Sequence, residues 1–213
     1  MKLQDLSQAV IDGDTEKAIR LTKEAVEARI DAMTIYREGL IPGMNIVGKK
    51  MQAGEYFIPE VLLAADVMKA AQEVLKPMLS RLKSPSRTGK VVMGTVQGDL
   101  HDIGKNLVIA MLEGGGFEVV DVGVDVPPDK FVAIVKQEKP DILGLSALLS
   151  VTMLNMKGVV DSLTQAGVRK SVKVLIGGAP VSQTFADEIG ADGFARDAGS
   201  AVELANRVIK GRR

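Results

Sequence analysis

The stretch KVVMGTVQGDLHDIG, residues 90–104, passes from an apolar run through a polar turn to the start of a helical pattern. A short apolar run that ends at glycine and acidic residues predicts a buried strand, and the turn after it holds His101, the one histidine of the chain. Open α/β sheets bind ligands at the carboxyl ends of their strands, and imidazole is the commonest metal ligand among side chains. His101 is therefore the first candidate for a functional residue.

Beyond this stretch, short apolar runs alternate with helical segments. The apolar runs span residues 90–96, 117–122, 141–145, 172–176 and 193–195. Parallel strands need crossover helices, and right-handed crossovers place these helices on both faces of the sheet. The pattern therefore predicts a five-stranded, doubly wound parallel sheet of the flavodoxin-like or Rossmann-like kind. In the strand order 2-1-3-4-5, the loops after strands one, three and four line one crevice; they span residues 97–104, 146–152 and 177–180.

The first part of the chain shows only helical periodicity. Asp14 and Asp31 are positioned to cap two of its helices, and a long helix is predicted from about Pro59 to Leu82. Breaks in the pattern are expected at Gly39, Pro42 and Gly43, and a helix stop at Gly54. About four helices joined by short turns predict an antiparallel bundle.

A polar segment with proline and glycine separates the two periodicities. The predicted organisation is α + α/β: a helical bundle, a linker and a parallel-sheet domain at residues 1–82, 83–89 and 90–213.

Composition limits the functional classes. Lys plus Arg and Asp plus Glu number 27 each, so no net charge attracts nucleic acid or an anionic membrane surface, and neither partner is expected. The chain has no Cys and no long apolar stretch at its start, which predicts a cytoplasmic protein.

The residues of the turn at His101 limit the kinds of ligand that it could bind. It lacks the pattern Gly-x-Gly-x-x-Gly, and its acidic residues would repel a pyrophosphate, which argues against a dinucleotide site. Asp99 lies two residues before His101, at the spacing of a carboxylate that fixes the tautomer of a ligating imidazole. One His and no Cys cannot build an ordinary zinc site, so a metal at His101 would have to arrive already chelated.

Three motifs occur in order: Asp99-x-His101-x-x-Gly104, Ser146-x-Leu148 and Gly177-Gly178. Together they resemble the cobalamin-binding signature of methionine synthase and of the small corrinoid proteins that carry methyl groups. A lone histidine or a lone Gly-Gly pair is more often structural, but the joint spacing favours the cofactor interpretation. The helical first part resembles the cap domain that precedes the cobalamin domain in this family.

The resemblance implies a corrinoid bound with its own lower base displaced. His101 would be the lower axial ligand on cobalt, Asp99 its hydrogen-bond partner, and Thr152 the hydroxyl that completes the relay. Ser146, Leu148, Gly177 and Gly178 would lie along the nucleotide tail. The remaining implied contacts are Gln97, Gly98, Leu100, Asp102, Ile103 and Gly104 around the turn, with Met51 and Ile58 of the cap above the methyl group.

The family resemblance implies a methyl carrier, with the methylated cofactor as intermediate, and not a complete enzyme. Its implied partners are a substrate:corrinoid methyltransferase, an acceptor methyltransferase of the tetrahydrofolate or coenzyme M type, and a reductive activase. Two alternatives stay open: a cobalamin-dependent sensor or regulator, and the cobalamin subunit of a carbon-skeleton mutase. The regulator would be expected to carry a basic recognition helix, and the mutase subunit would be expected to lack the helical cap.

Overall fold

The computed structural model describes residues 3–79 and 88–211. These fall into two units: one holds the described residues up to 79 together with Glu113–Gly116, and the other holds Thr88–Leu112 and the described residues from Phe117 onward. Of the predicted linker at 83–89, only Thr88 and Gly89 belong to the described residues.

The first unit is built from helices. Its elements are α1 (Leu3–Asp12), α2 (Thr15–Glu27), the short α3 (Ala32–Thr34), a π-helical turn (Ile35–Leu40), α4 (Ile41–Gln52) and α5 (Ile58–Leu79). The predicted caps are present, since Asp14 accepts from the Lys17 amide and Asp31 from the Thr34 amide. No helix among the described residues is long and apolar enough to cross a membrane.

The expected breaks at Gly39, Pro42 and Gly43 are wrong. The chain continues from α3 through the π-helical turn directly into α4, and Pro42, which has no backbone N–H to donate, lies just after the π-helical turn. Gly43 serves close packing: a Cβ there would lie 2.6 Å from the backbone oxygen of Ser7 in α1. The hydroxyl of Ser7 also donates to the Gly39 carbonyl at 2.5 Å, which links α1 to the π-helical turn.

The second unit alternates strands and helices. The strands are β1 (Lys90–Thr95), β2 (Glu118–Asp121), β3 (Ile142–Ser146), β4 (Lys173–Gly177) and β5 (Gly193–Ala195). The helices are α6 (Ile103–Gly114), α7 (Pro128–Glu138), α8 (Ser150–Met153), α9 (Asn155–Gln165), α10 (Gln183–Ile189) and α11 (Ala198–Lys210), with a 3₁₀ turn at Arg169–Ser171.

All five strands pair in parallel in the order β2-β1-β3-β4-β5. This is the predicted doubly wound sheet with its predicted order. One face carries Val92, Leu143 and Val174 in a row, packed in one apolar cluster with residues of α7, α9 and α10. A Cβ on Gly193 would meet both Leu175 and Leu204, so α11 covers the opposite face. Burial on both faces explains why the strands have continuous apolar sequences.

An ionic cluster lies at the amino ends of β4 and β5. Asp192 is mostly buried and accepts from Lys173 Nζ at 2.7 Å, from Arg169 Nη2 at 2.8 Å and from the Val174 amide at 2.9 Å. Burial by itself raises the pKa of this carboxyl, but the hydrogen bonds from Lys173, Val174 and Arg169 outweigh it and lower the pKa. The cluster ties the 3₁₀ turn to the sheet.

Replacing Asp192 with Asn is expected to lower the free energy of unfolding at neutral pH by about 1–3 kcal/mol, because hydrogen bonds between charged groups are lost. A carboxyl whose pKa is lowered on folding stabilises the protein above its unfolded pKa of about 3.9, and this contribution disappears as the pH falls through the folded pKa. The difference between wild type and variant should therefore shrink below about pH 4 in urea titrations. The exposed Asp187→Asn variant is the control and should stay within about 0.5 kcal/mol of wild type; a difference at Asp192 that does not change with pH would contradict the assignment.

Candidate functional site

The carboxyl ends of three neighbouring strands meet at one edge of the sheet. Thr95, Ser146 and Gly177 stand side by side in the register of β1, β3 and β4. The loops that follow therefore bring together the predicted site residues of this unit: Gln97, Gly98, Asp99, Leu100, His101, Asp102, Ile103, Gly104, Ser146, Leu148, Thr152, Gly177 and Gly178.

Asp99 is the centre of this edge, and its side chain is fully buried. Its Oδ1 accepts from His101 Nδ1 at 2.7 Å and from the His101 amide at 3.1 Å. Its Oδ2 accepts from Thr152 Oγ1 at 2.5 Å and from the amides of Leu148 and Leu149 at 2.8 and 3.3 Å. One carboxylate thus joins the loop after β1 to the loop after β3.

These donors keep Asp99 ionised. Burial alone raises its pKa, but the hydrogen bonds from Thr152, Leu148 and His101 together lower the pKa well below the usual range of an aspartate. An ionised carboxylate has no proton to donate, so the hydrogen between Asp99 and His101 must belong to Nδ1. With the proton on Nδ1, the nitrogen that an imidazole offers to a metal is Nε2.

The imidazole lies at the surface, with half of the side chain exposed. The segments that follow β1 and β3 also expose large apolar side chains, in the loops and at the start of α6, α8 and α9. We call them the apolar rim: Leu100, Ile103, Leu148, Leu149, Val151 and Leu154. Leu100 and Ile103 are each 71% exposed, which is unusual for such residues on a water-facing surface. The rim indicates that something apolar covers His101 when the site is filled.

This donor set fits a chelated metal better than a bare ion. Within residues 3–79 and 88–211, no group of three His, Cys, Asp or Glu side chains could hold a metal ion. The site offers one imidazole nitrogen, already oriented by a carboxylate, in a segment that also exposes apolar side chains. A corrinoid matches this arrangement, because it supplies the equatorial ligands of its cobalt and presents a broad macrocycle to the rim.

The turn that carries His101 is also held from outside by residues that the sequence analysis missed. Asp125 accepts from the Gly98 amide at 2.7 Å and donates its own amide to the Asp99 carbonyl at 3.0 Å. Asn155 donates to the Gln97 carbonyl at 2.8 Å, and the hydroxyl of Thr95 donates to the His101 carbonyl at 3.0 Å. The predicted strand order placed β2 beside β1, so the loop after β2, which contains Asp125, could have been included among the site loops.

Asp125 itself adopts an energetically costly backbone conformation. Its φ is 52°, in the left-handed region that disfavours residues with a side chain. Its two bonds to the Gly98–Asp99 segment compensate for this conformation. Retention of such strain at a loop is typical of functional sites.

The structure shows why residue 178 is a glycine. A Cβ at this position would lie 1.8 Å from the Ala147 backbone oxygen, and the φ of Gly178 is 135°. Glycine is therefore required by the approach of two loops of the protein itself. For Gly177, a Cβ would lie 3.0 Å from the Ala195 oxygen, a tight but less severe contact.

The two predicted cap residues lie in the helical unit. Met51 is partly buried near the end of α4, and Ile58 begins α5 with 43% of its surface exposed. Phe57, Leu62 and Leu63 nearby are exposed as well. This end of the helical unit therefore presents apolar side chains to its surroundings.

Comparisons with known proteins find a family match in each of the two parts of the chain. A family model described as a B12 binding domain matches residues 89–205, and a second model with the same description matches residues 2–76. A corrinoid protein of Desulfitobacterium hafniense is 42% identical over 209 residues, which cover 97% of this chain and 97% of that protein. A dimethylamine corrinoid protein of Methanosarcina acetivorans is 42% identical over 207 residues, with the same 97% coverage of each.

A solved structure extends the likeness to three dimensions. The methanol:cobalamin methyltransferase complex of Methanosarcina barkeri contains a chain that matches with a TM-score of 0.85 at 32% identity, covering 98% of this chain and 80% of that one. The match confirms the predicted fold class, a helical region followed by a parallel sheet.

Replacing Thr152 with Val is expected to lower the free energy of unfolding by about 1.5–3 kcal/mol, because a buried ionised carboxylate loses a donor and gains no substitute. Urea denaturation of the protein without cofactor measures the change. The control is Thr152→Ser, which keeps the hydroxyl and should retain most of the stability. A loss in Thr152→Ser with none in Thr152→Val would mean that the methyl group, and not the hydroxyl, matters.

Replacing Gly178 with Ala is expected to cost more than about 3 kcal/mol, because backbone strain adds to a collision with the Ala147 oxygen. Gly167→Ala is the matched control: Gly167 has φ 73° but open space around it. That control should show only the strain, about 1–2 kcal/mol. Similar values for the two variants in thermal or urea unfolding would contradict the close approach at Gly178.

Proposed function

Because this chain belongs to the B12-binding domain family, we propose that it carries a methyl group on corrinoid cobalt between two methyltransferases, with His101 as the lower axial ligand. Membership confirms the resemblance seen in the sequence and the corrinoid cofactor that it implied. The methyl-carrying role, the ligation by His101 and the partners are the proposal.

One observation carries the proposal: His101 is oriented through Nδ1 by a buried, ionised Asp99, while the ring stands half exposed at the sheet edge. When bound, the cobalt of a corrinoid accepts a methyl group from a donor and gives it up to an acceptor. The chain supplies orientation. The Asp99–His101 pair holds Nε2 available, and the Thr152 hydroxyl and the Leu148 amide prevent the carboxylate from turning away.

The surrounding residues would bind the rest of the cofactor. The apolar rim supports a broad apolar ring and keeps water from its lower face. Ser146, Leu148, Gly177 and Gly178 lie at the carboxyl ends of β3 and β4, where we propose that the nucleotide tail runs. The turn residues Gln97, Gly98, Asp102, Ile103 and Gly104 would contact the ring edge, and Met51 and Ile58 of the helical unit would shield the methyl group.

The partners follow from this role. We infer a substrate-specific methyltransferase that loads the carrier, an acceptor methyltransferase of the tetrahydrofolate or coenzyme M type that unloads it, and a reductive activase. The names of the relatives, a dimethylamine corrinoid protein and a methanol:cobalamin methyltransferase complex, support methylamines or methanol as the donor class. The match of a B12 binding domain to residues 2–76 favours the carrier over a mutase subunit, which would be expected to lack that helical part.

The test is reconstitution with cobalamin in the Co(II) state, followed by electron paramagnetic resonance. In the wild-type protein we expect superhyperfine splitting from one axial nitrogen that changes from a triplet to a doublet when the protein is labelled with ¹⁵N. This change assigns the nitrogen to the protein and not to the benzimidazole of the cofactor. The splitting should be lost in His101→Ala.

Free imidazole provides the control. Added to the His101→Ala protein, it should restore a nitrogen splitting that does not respond to labelling of the protein. A wild-type protein that binds cobalamin with the benzimidazole still coordinated, or that does not bind it, would overturn the proposed ligation.

A further inference from the structure

A lysine is buried beside the turn that carries His101. Lys105, in the first turn of α6, is 2% exposed. Its ammonium donates to Asp121 Oδ2 at 2.6 Å and to Asn106 Oδ1 at 2.8 Å. Burying an ammonium is costly unless it is paired, so its position depends on these two partners.

Asp121 has a second contact. It ends β2, and its Oδ1 accepts from the Gly123 amide at 2.9 Å, at the start of the loop that contains Asp125. The Gly123 carbonyl in turn accepts from the Thr95 amide at 3.0 Å, which keeps this loop beside β1. One carboxylate therefore fixes both the start of α6 and the loop after β2.

The start of α6 and the loop after β2 both contact the turn that carries His101. On the side of α6, Asn106 bridges Lys105 to Asp102, because its Nδ2 donates to Asp102 Oδ2 at 3.1 Å and its amide donates to the Asp102 carbonyl at 2.7 Å. On the side of the loop, Asp125 holds the Gly98 amide and the Asp99 carbonyl. Residues 98–102, with His101 among them, are thus held from two sides by elements that meet at Asp121.

We propose that Asp121 is a positioning residue for His101, acting through the buried ammonium of Lys105 on one side and the Gly123 amide on the other. The inference rests on the proposed function, in which His101 binds cobalt. Without the charge of Asp121, the ammonium of Lys105 lacks its counter-ion, and the start of α6 must move to hydrate it. Such a movement displaces Asp102 and the adjoining histidine.

The test uses Asp121→Asn in the full chain. Asparagine keeps an oxygen for the Gly123 amide and replaces the oxygen that faces Lys105 by an NH2 group, which removes both the charge and the hydrogen-bond acceptor. We expect cobalamin affinity to fall by about 10-fold or more, the effect of disturbing a residue behind a metal ligand. In the Co(II) spectrum, the fraction with a ¹⁵N-sensitive axial nitrogen should fall as well, in conditions where circular dichroism shows the protein to be folded.

Two further variants separate positioning from a merely structural role. The double variant Asp121→Asn with Lys105→Met removes the unpaired ammonium, and it should recover cobalamin affinity to within about threefold of wild type together with most of the protein-nitrogen signal. Asp192→Asn breaks a comparable ion pair at the opposite end of the strands. It should lower stability and leave affinity and spectrum as in the wild type.

Each outcome of these measurements supports or contradicts the positioning role of Asp121. Wild-type affinity and spectrum in Asp121→Asn would overturn the inference, and a double variant as impaired as the single one would overturn the action through Lys105. Impairment of Asp192→Asn equal to that of Asp121→Asn would reduce the effect to general destabilisation. A wild-type protein without a protein nitrogen on cobalt would refute the proposed function itself, which is a separate and recognisable result.

Discussion

The buried carboxylate of Asp99 is the interaction on which the site depends. A charge in the interior is tolerated only where donors surround it, and here His101, Thr152 and the amides of Leu148 and Leu149 do so. The same donors that stabilise the charge also join two loops that belong to different strands. Stability and function therefore rely on the same hydrogen bonds, because the group that orients the imidazole is also the group that holds the sheet edge together.

The segments that contain this polar centre also expose apolar side chains, which is energetically unfavourable in water. The large side chains of the apolar rim are exposed to water, whereas residues of the same kind fill the interior on both faces of the sheet. A contiguous apolar surface of this sort lowers solubility and has to be justified by what covers it. The broad ring of a corrinoid would cover such a surface and, under the proposal that His101 binds its cobalt, the half-exposed histidine as well.

Much of this could be predicted from the sequence, for physical reasons that differ between the parts. The strand order and the caps at Asp14 and Asp31 follow from local patterns and from the handedness of crossovers, which act in the same way in every chain. The role of Gly43 is not predictable in this way, because sequence alone does not separate a glycine that ends a helix from one that lets two helices approach. The clamp by Asp125 was missed because it joins residues 27 positions apart and rests on a left-handed backbone with no local signal.

The donors that hold Asp99 come from residues 49, 50 and 53 positions further along the chain. Contacts so distant in sequence form late in folding, since the intervening loop must be closed first. In a nascent chain that has emerged only as far as α7, Asp99 and Asp125 are present beside the histidine, but the carboxylate of Asp99 lacks the hydrogen bonds from Leu148, Leu149 and Thr152. Firm orientation of the imidazole therefore requires that β3 has joined the sheet, so the order of folding sets when the histidine takes its final position.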